Sequence, residues 1–233
     1  MKKRSLLGLI GLTLAFPVLA QSTQKPMQVT VQTKLHYLQF IPKSYSAKGP
    51  GVPLIVFLHG SGERGEDLNK VKAWGPPAIA DKDPNFPFMV LSPQAPAGEW
   101  WNAAAVKAML DDVLAKYNVD KRRVYLTGLS MGGYGAWDMA IRYPDYFAAI
   151  APICGGGNTR MVGQLRNVPT WVFHGKKDEA VPERESAVMV EALQNVGGNV
   201  RYTVLPEGNH VDSWVHAYDK AGLFDWFLTH RKN

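Results

Sequence analysis

Ser130 stands between two glycines in Gly128-Leu129-Ser130-Met131-Gly132, and downstream the chain carries Asp178 in "HGKKDEAVP" and His210 in "PEGNHVDSW". A serine hydroxyl attacks a carbonyl only when a base removes its proton, and an imidazole does this best when a carboxylate holds its tautomer and stabilises its charge. Serine, acid and histidine in that chain order could therefore carry nucleophilic acyl transfer. The glycines say where the serine must sit. In a strand that turns sharply into a helix, side chains flanking the nucleophile would strike neighbouring backbone, and the helix behind aims its N-terminal amides at developing negative charge.

Four histidines follow Ser130, at positions 174, 210, 216 and 230. His210 lies in a polar loop after the strand-like run Val200 to Leu205, which is where the base is expected. His174 ends a strand inside "VFHG" and reads as a buried structural residue, while His216 and His230 fall in a terminal helical stretch. Asp178, in a loop closed by Pro182, is the favoured acid. Glu179 and Asp212 are its rivals, and Asp212 stands too near His210 in sequence to orient the ring comfortably. An oxyanion hole needs two backbone amides about 3 Å from the charge that forms. Met131 supplies one and Ser61 the other, with Gly62 the alternative to Ser61. His59 reads as a brace inside that loop.

Trp100, Trp101 and Trp214 are candidates for an apolar wall beside the site, with core packing the competing reading for the Trp100-Trp101 pair. "GERGED" offers Arg64 a carboxylate partner or forms a solvated turn. The single cysteine, Cys154, reads as a small buried hydrophobe, and one cysteine cannot form an intramolecular disulfide. Histidines and cysteine show no ligand-like spacing, so no metal and no cofactor are expected.

The elements that would position these residues are legible as alternating runs. Val29 to Gln32 and Leu35 to Ile41 read as antiparallel edge strands. Pro53 to Leu58, Phe88 to Leu91, Val124 to Thr127, Ala148 to Ile153 and Thr170 to Phe173 are short apolar runs suited to strands buried on both faces. Helical stretches lie between them at Ala103 to Tyr117, Met131 to Arg142 and Glu183 to Val196, with a last one near Ala217 to His230. Strands alternating with helices predict an α/β fold: a doubly wound, mostly parallel sheet with helices on both faces and functional loops at the strands' carboxyl ends.

Length and composition bound the rest. A chain of 233 residues with 46% hydrophobic content reads as one catalytic domain, residues 21 to 233, behind a leader. Lys2, Lys3 and Arg4 precede a largely apolar run from Leu6 to Phe16 that ends in Val18-Leu19-Ala20, the pattern of a secretory signal peptide cleaved after Ala20. The run is too short for a membrane anchor, which needs about 20 apolar residues. Without the leader, 23 basic residues face 20 acidic ones, a balance of +3. The basic residues are scattered, which argues against a nucleic-acid partner. The only close run, Lys121-Arg122-Arg123, reads as a solvated loop leading into a strand.

"FLHGSGERGED", "LTGLSMGGYGAWDMAIRYPDYFAAIAPICGGG", "VFHGKKDEAVP" and "HVDSW" resemble the α/β-hydrolase superfamily. More narrowly, they resemble its secreted bacterial predicted-peptidase and phospholipase-carboxylesterase group, akin to polyhydroxybutyrate depolymerases, feruloyl esterases and dienelactone hydrolases. The resemblance implies Ser130 as nucleophile, Asp178 as acid and His210 as base, acting on a small-molecule or oligomeric ester. One departure is that relatives tend to read His-Asn/Asp-Ser-Trp, whereas Val211 intervenes here before Asp212-Ser213-Trp214. The resemblance therefore leaves the path of the His210 loop open. A peptidase on the same fold and a non-catalytic binding protein are the competing functions.

Overall fold

The structure is a computed structural model, and it describes Gln28 and residues 33–232. The leader, its cleavage point and the strand read at Val29 to Gln32 lie outside the described residues. Among the described residues, seven strands form one sheet: β1 (His36–Phe40), β2 (Val52–Leu58), β3 (Met89–Gln94), β4 (Val119–Leu129), β5 (Ala149–Ile153), β6 (Thr170–Gly175) and β7 (Val200–Leu205), in the order β1-β3-β2-β4-β5-β6-β7. The edge strand β1 runs antiparallel to β3, pairing His36 with Gln94 and Phe40 with Val90, and every other pair is parallel. The chain reverses its direction of strand addition after β3. Ligands in such sheets bind near that switch, at the carboxyl ends of the strands.

Residues of β2 are wholly buried and alternate between two cores, as a strand covered on both faces must. Leu54, Val56 and Leu58 face α2 (Ala103–Lys116), α3 (Met131–Arg142) and α4 (Arg184–Asn195). Ile55 and Phe57 face α1 (Gly75–Ala80), α5 (His210–Asp219) and α6 (Leu223–Leu228). Helix α2 starts where Asn102 accepts hydrogen bonds from the amides of Ala104 and Ala105, and it buries Val106, Leu110 and Val113 on one face. Among the described residues, no helix is long and apolar enough to cross a membrane.

Three elements differ from expectation. Strand β4 begins at Val119, so Lys121, Arg122 and Arg123 stand in a strand and not in a loop. Asp120 holds that extension by accepting from the Arg122 amide and from Arg123 Nε, at 3.0 and 2.8 Å, while Arg123 Nη2 reaches Gly51 O. The terminal helix is two helices, because Gly222 takes φ 71°, a left-handed conformation that ends one axis and starts another. Finally, α5 begins at His210, well before the stretch read as helical.

Candidate active site

Ser130 links β4 to α3 with φ 54° and ψ −119°, an unfavourable conformation for a residue with a side chain. The surroundings hold it there. Its amide donates to Ile153 O at 3.0 Å, and its carbonyl accepts from the amides of Gly133 and Tyr134. The flanking glycines are steric necessities: a Cβ on Gly128 would lie 2.3 Å from Gly132 O, and one on Gly132 would lie 1.9 Å from Leu58 O. The turn is thus wedged against the end of β2.

His210 Nε2 lies 3.0 Å from Ser130 Oγ, and His210 Nδ1 lies 2.6 Å from Asp178 Oδ2. The carboxylate is fixed from behind, since Asp178 Oδ1 accepts from the amides of Ala180 and Val181, each at 2.9 Å. The side chain of Asp178 has no solvent exposure, whereas that of His210 keeps 21%. With Nδ1–H facing the carboxylate, Nε2 is left unprotonated toward the hydroxyl, which is the tautomer a general base needs. The two rival acids stand elsewhere. Glu179 is exposed, and Asp212 accepts from the Asn209 amide at 2.9 Å.

The His210 segment corrects the expectation of a loop. Asn209 and Asp212 exchange side-chain and backbone hydrogen bonds as a capping box, so His210 opens α5. Four residues on, Trp214 shares its helix face, and the two rings meet edge to face at 5.0 Å. Val211 points outward at 41% exposure, so it sets the His210-to-Trp214 spacing without entering the site. Ser213 Oγ accepts from the Gly175 amide and donates to Asn209 O, which pins α5 to the end of β6. Trp214, 6% exposed, therefore packs against the His210 ring and does not line an open wall.

Met131 is the first residue of α3, so its amide has no partner inside the helix. Ser61 and Gly62 lie on a short 3₁₀ turn, Ser61–Glu63. A Cβ on Gly132 would also lie 2.7 Å from His59 O, so this turn's root touches the serine's turn. Arg64 donates to Ser61 O at 2.9 Å and to Glu99 O, so of the two readings of "GERGED" the carboxylate pair is not the one formed: its partners are backbone carbonyls. Gln94 donates to the carbonyls of Glu63 and Asp67, and burial holds the Glu63 carboxyl above its ordinary range.

His59 braces the loop from within. The Ala95 amide donates to its Nε2 at 3.0 Å, so the proton sits on Nδ1, which donates to Gly60 O at 2.5 Å. Trp101 packs on this ring at 4.7 Å and donates from Nε1 to His59 O. Burial lowers the His59 pKa to about 4. The unfolded imidazole titrates near 6.5, so between these values the unfolded chain binds a proton that the folded protein refuses. Stability held above about pH 6.5 will therefore be lost as pH falls toward 4, by up to about 3 kcal/mol. Urea unfolding at pH 7, 5.5 and 4 checks this, and His59→Gln should flatten that part of the decline. An equally steep decline in the variant would remove His59 as its source.

A cleft of about 630 Å³ runs along α3, walled by Trp100, Trp101, Tyr134, Arg142, Asn158 and Met161, and Ser130, Asp178 and His210 are not in its wall. Trp100 is 64% exposed and meets Tyr134 edge to face at 5.9 Å. Trp74, not singled out from sequence, packs edge to face on Trp214 at 5.8 Å. Tyr134 was also missed, although its place four residues after Ser130 puts it one helical turn from the hydroxyl. Cys154 is buried as expected, yet it has φ 41° and lies under the site. Its sulfur and the ligand atoms of Asp178 and His210 all lie within 4.8 Å of one another, and burial pushes the thiol's pKa up.

Comparisons with known proteins point the same way as the geometry. The Esterase PHB depolymerase family model matches residues 89–163, and the Prolyl oligopeptidase family model matches residues 158–233. The chain is 32% identical over 136 residues to poly(3-hydroxyalkanoate) depolymerase C of Paucimonas lemoignei, covering 51% of this chain and 31% of that protein. It is 29% identical over 184 residues to feruloyl esterase B of Neurospora crassa, covering 72% of this chain and 60% of that protein. The chain thus spans about a third to three fifths of these relatives' lengths. A solved thermostable esterase superposes with a TM-score of 0.75 at 35% identity, over 84% of this chain and 59% of that one.

Proposed function

We propose that this chain, an α/β-hydrolase fold similar to esterases, is an exported serine hydrolase that cleaves carboxylic esters through an acyl-enzyme intermediate. The observation that carries this reading is the hydrogen-bonded chain from Ser130 through His210 to Asp178, at 3.0 and 2.6 Å. In the reaction, Ser130 Oγ attacks the ester carbonyl as His210 Nε2 takes its proton, and Asp178 stabilises the imidazolium that results. The Met131 and Ser61 amides receive the oxyanion. Collapse of the tetrahedral intermediate breaks the carbon–oxygen bond, and His210 returns the proton to the departing alkoxide. A water activated by the same imidazole then hydrolyses the acyl-serine, releasing the acid. Export rests on the basic, apolar and small-residue leader, with the periplasm or medium as the destination.

The Prolyl oligopeptidase match over residues 158–233 favours a second reading, serine peptidase activity at the same site. Initial rates on acyl esters of increasing length, hydroxycinnamoyl esters, phospholipids and peptide amides separate the two. Esters are expected to turn over at least a hundredfold faster than amides, with rates unchanged by EDTA because imidazole and carboxylate are engaged with each other. Amides turned over as fast as esters would favour the peptidase. Activity lost to EDTA and restored by a divalent ion would contradict the metal-free reaction.

A further inference from the structure

On the far side of the acid stands a second imidazole that acyl transfer leaves unused. His174, at the end of β6, has no solvent exposure. Its Nε2 lies 2.9 Å from Val181 O and 3.2 Å from Asp178 Oδ2. A carbonyl and a carboxylate only accept, so Nε2 carries a proton and donates to them. Nδ1 lies 2.7 Å from Ser186 Oγ, which is itself 3.0 Å from Gly155 O. One hydroxyl proton cannot serve both. Either Ser186 donates to Nδ1 and His174 is neutral, or Ser186 donates to Gly155 O and Nδ1 carries a second proton. In both cases Nε2–H faces Asp178.

Asp178 is thereby surrounded by four N–H donors: the Ala180 and Val181 amides at Oδ1, and the two imidazoles at Oδ2. A carboxylate offers about four lone-pair sites, so this set leaves it one orientation. Ser186 also joins the acid's loop to Gly155, two residues past the Ile153 carbonyl that takes the Ser130 amide.

We propose that His174 is a positioning residue for the hydrolysis, holding Asp178 Oδ2 in line with His210 Nδ1 and coupling the acid's loop to the nucleophile's turn. The inference rests on the hydrolase reading. A carboxylate relieved of the His174 donor holds the His210 proton more tightly, so the base becomes available only at higher pH. The sign is the same whether His174 is neutral or charged. The other groups facing this cluster are Ser186 on α4 and Glu183 just before it, Tyr134 on α3, and Cys154 after β5.

The test measures kcat, KM, Tm and the pH profile of kcat/KM for His174→Phe, His174→Gln and Ser186→Ala in the full chain. His174→Phe keeps a ring but loses the donor. It is expected to lower kcat by about 10- to 100-fold with KM within twofold, and to raise the acid limb of kcat/KM by about half to one pH unit. His174→Gln, whose amide can donate, should recover part of both. Ser186→Ala should lower kcat by about two- to fivefold with a smaller shift in the same direction, and it carries the test if the His174 variants do not fold. Folded variants with unchanged kcat and acid limb overturn the proposal, as does Ser186→Ala with wild-type values when the His174 variants are unfolded. A wild-type protein that hydrolyses nothing would instead sink the hydrolase reading itself.

Discussion

Ser130→Ala will lower kcat for an activated ester by about 10⁵- to 10⁶-fold while the protein stays folded. The substitution removes the only atom that forms a bond to the substrate and keeps the Cβ that the φ 54° turn already accommodates. What remains is the contribution of the amides and of binding, about 10³-fold over water in comparable sites. Steady-state rates and Tm of the purified variant check both halves of the expectation. A folded variant that retains more than about a hundredth of wild-type kcat would mean that another group performs the attack.

Asp178→Asn is the second large effect, a loss of about 10⁴-fold in kcat with the loop intact. An asparagine carbonyl can still accept from the Ala180 and Val181 amides, so the turn survives. Its NH₂ group then occupies the Oδ2 position and meets two further donors, His210 Nδ1–H and His174 Nε2–H. The clash forces His210 into the tautomer that points a proton at Ser130. Glu179→Gln and Asp212→Asn change the same charge nearby without touching this bond, so each should cost tenfold or less, about 1.4 kcal/mol of barrier. Asp212→Asn should instead weaken the start of α5 by about 0.5 to 1 kcal/mol, through its capping hydrogen bond to Asn209. If Asp212→Asn were the crippling change and Asp178→Asn nearly active, the assignment of the acid would be wrong.

Much of this was legible because the candidate residues sit where local patterns change. Ser130 marks a strand becoming a helix, and Asp178 follows a strand that ends in glycine. The parallel sheet followed from short apolar runs that can only be buried on both faces. What was hidden is what two different signals share. Asn209-His210-Val211-Asp212 reads equally as a polar loop and as a helix cap, and only the seating of Ser213 on Gly175 decides for the helix. Strand β4 reached back through three basic residues because Asp120 accepts from Arg122 and Arg123 and Arg123 reaches Gly51 O just before β2, contacts with no apolar signature. Gly222 divides the last helix although its flanks are helical in composition. His174 read as core because burial is all that its strand position conveys. Its bond to Asp178 depends on how a loop folds back, which no periodicity records.

Labelling with a fluorophosphonate, followed by mass spectrometry of the peptides, tests the central claim most directly, because the probe reacts only with a serine whose proton a neighbouring base can remove. One adduct per chain on Ser130 is expected, lost in Ser130→Ala and in His210→Ala. An adduct on any other residue, or none on a folded protein, would contradict the account.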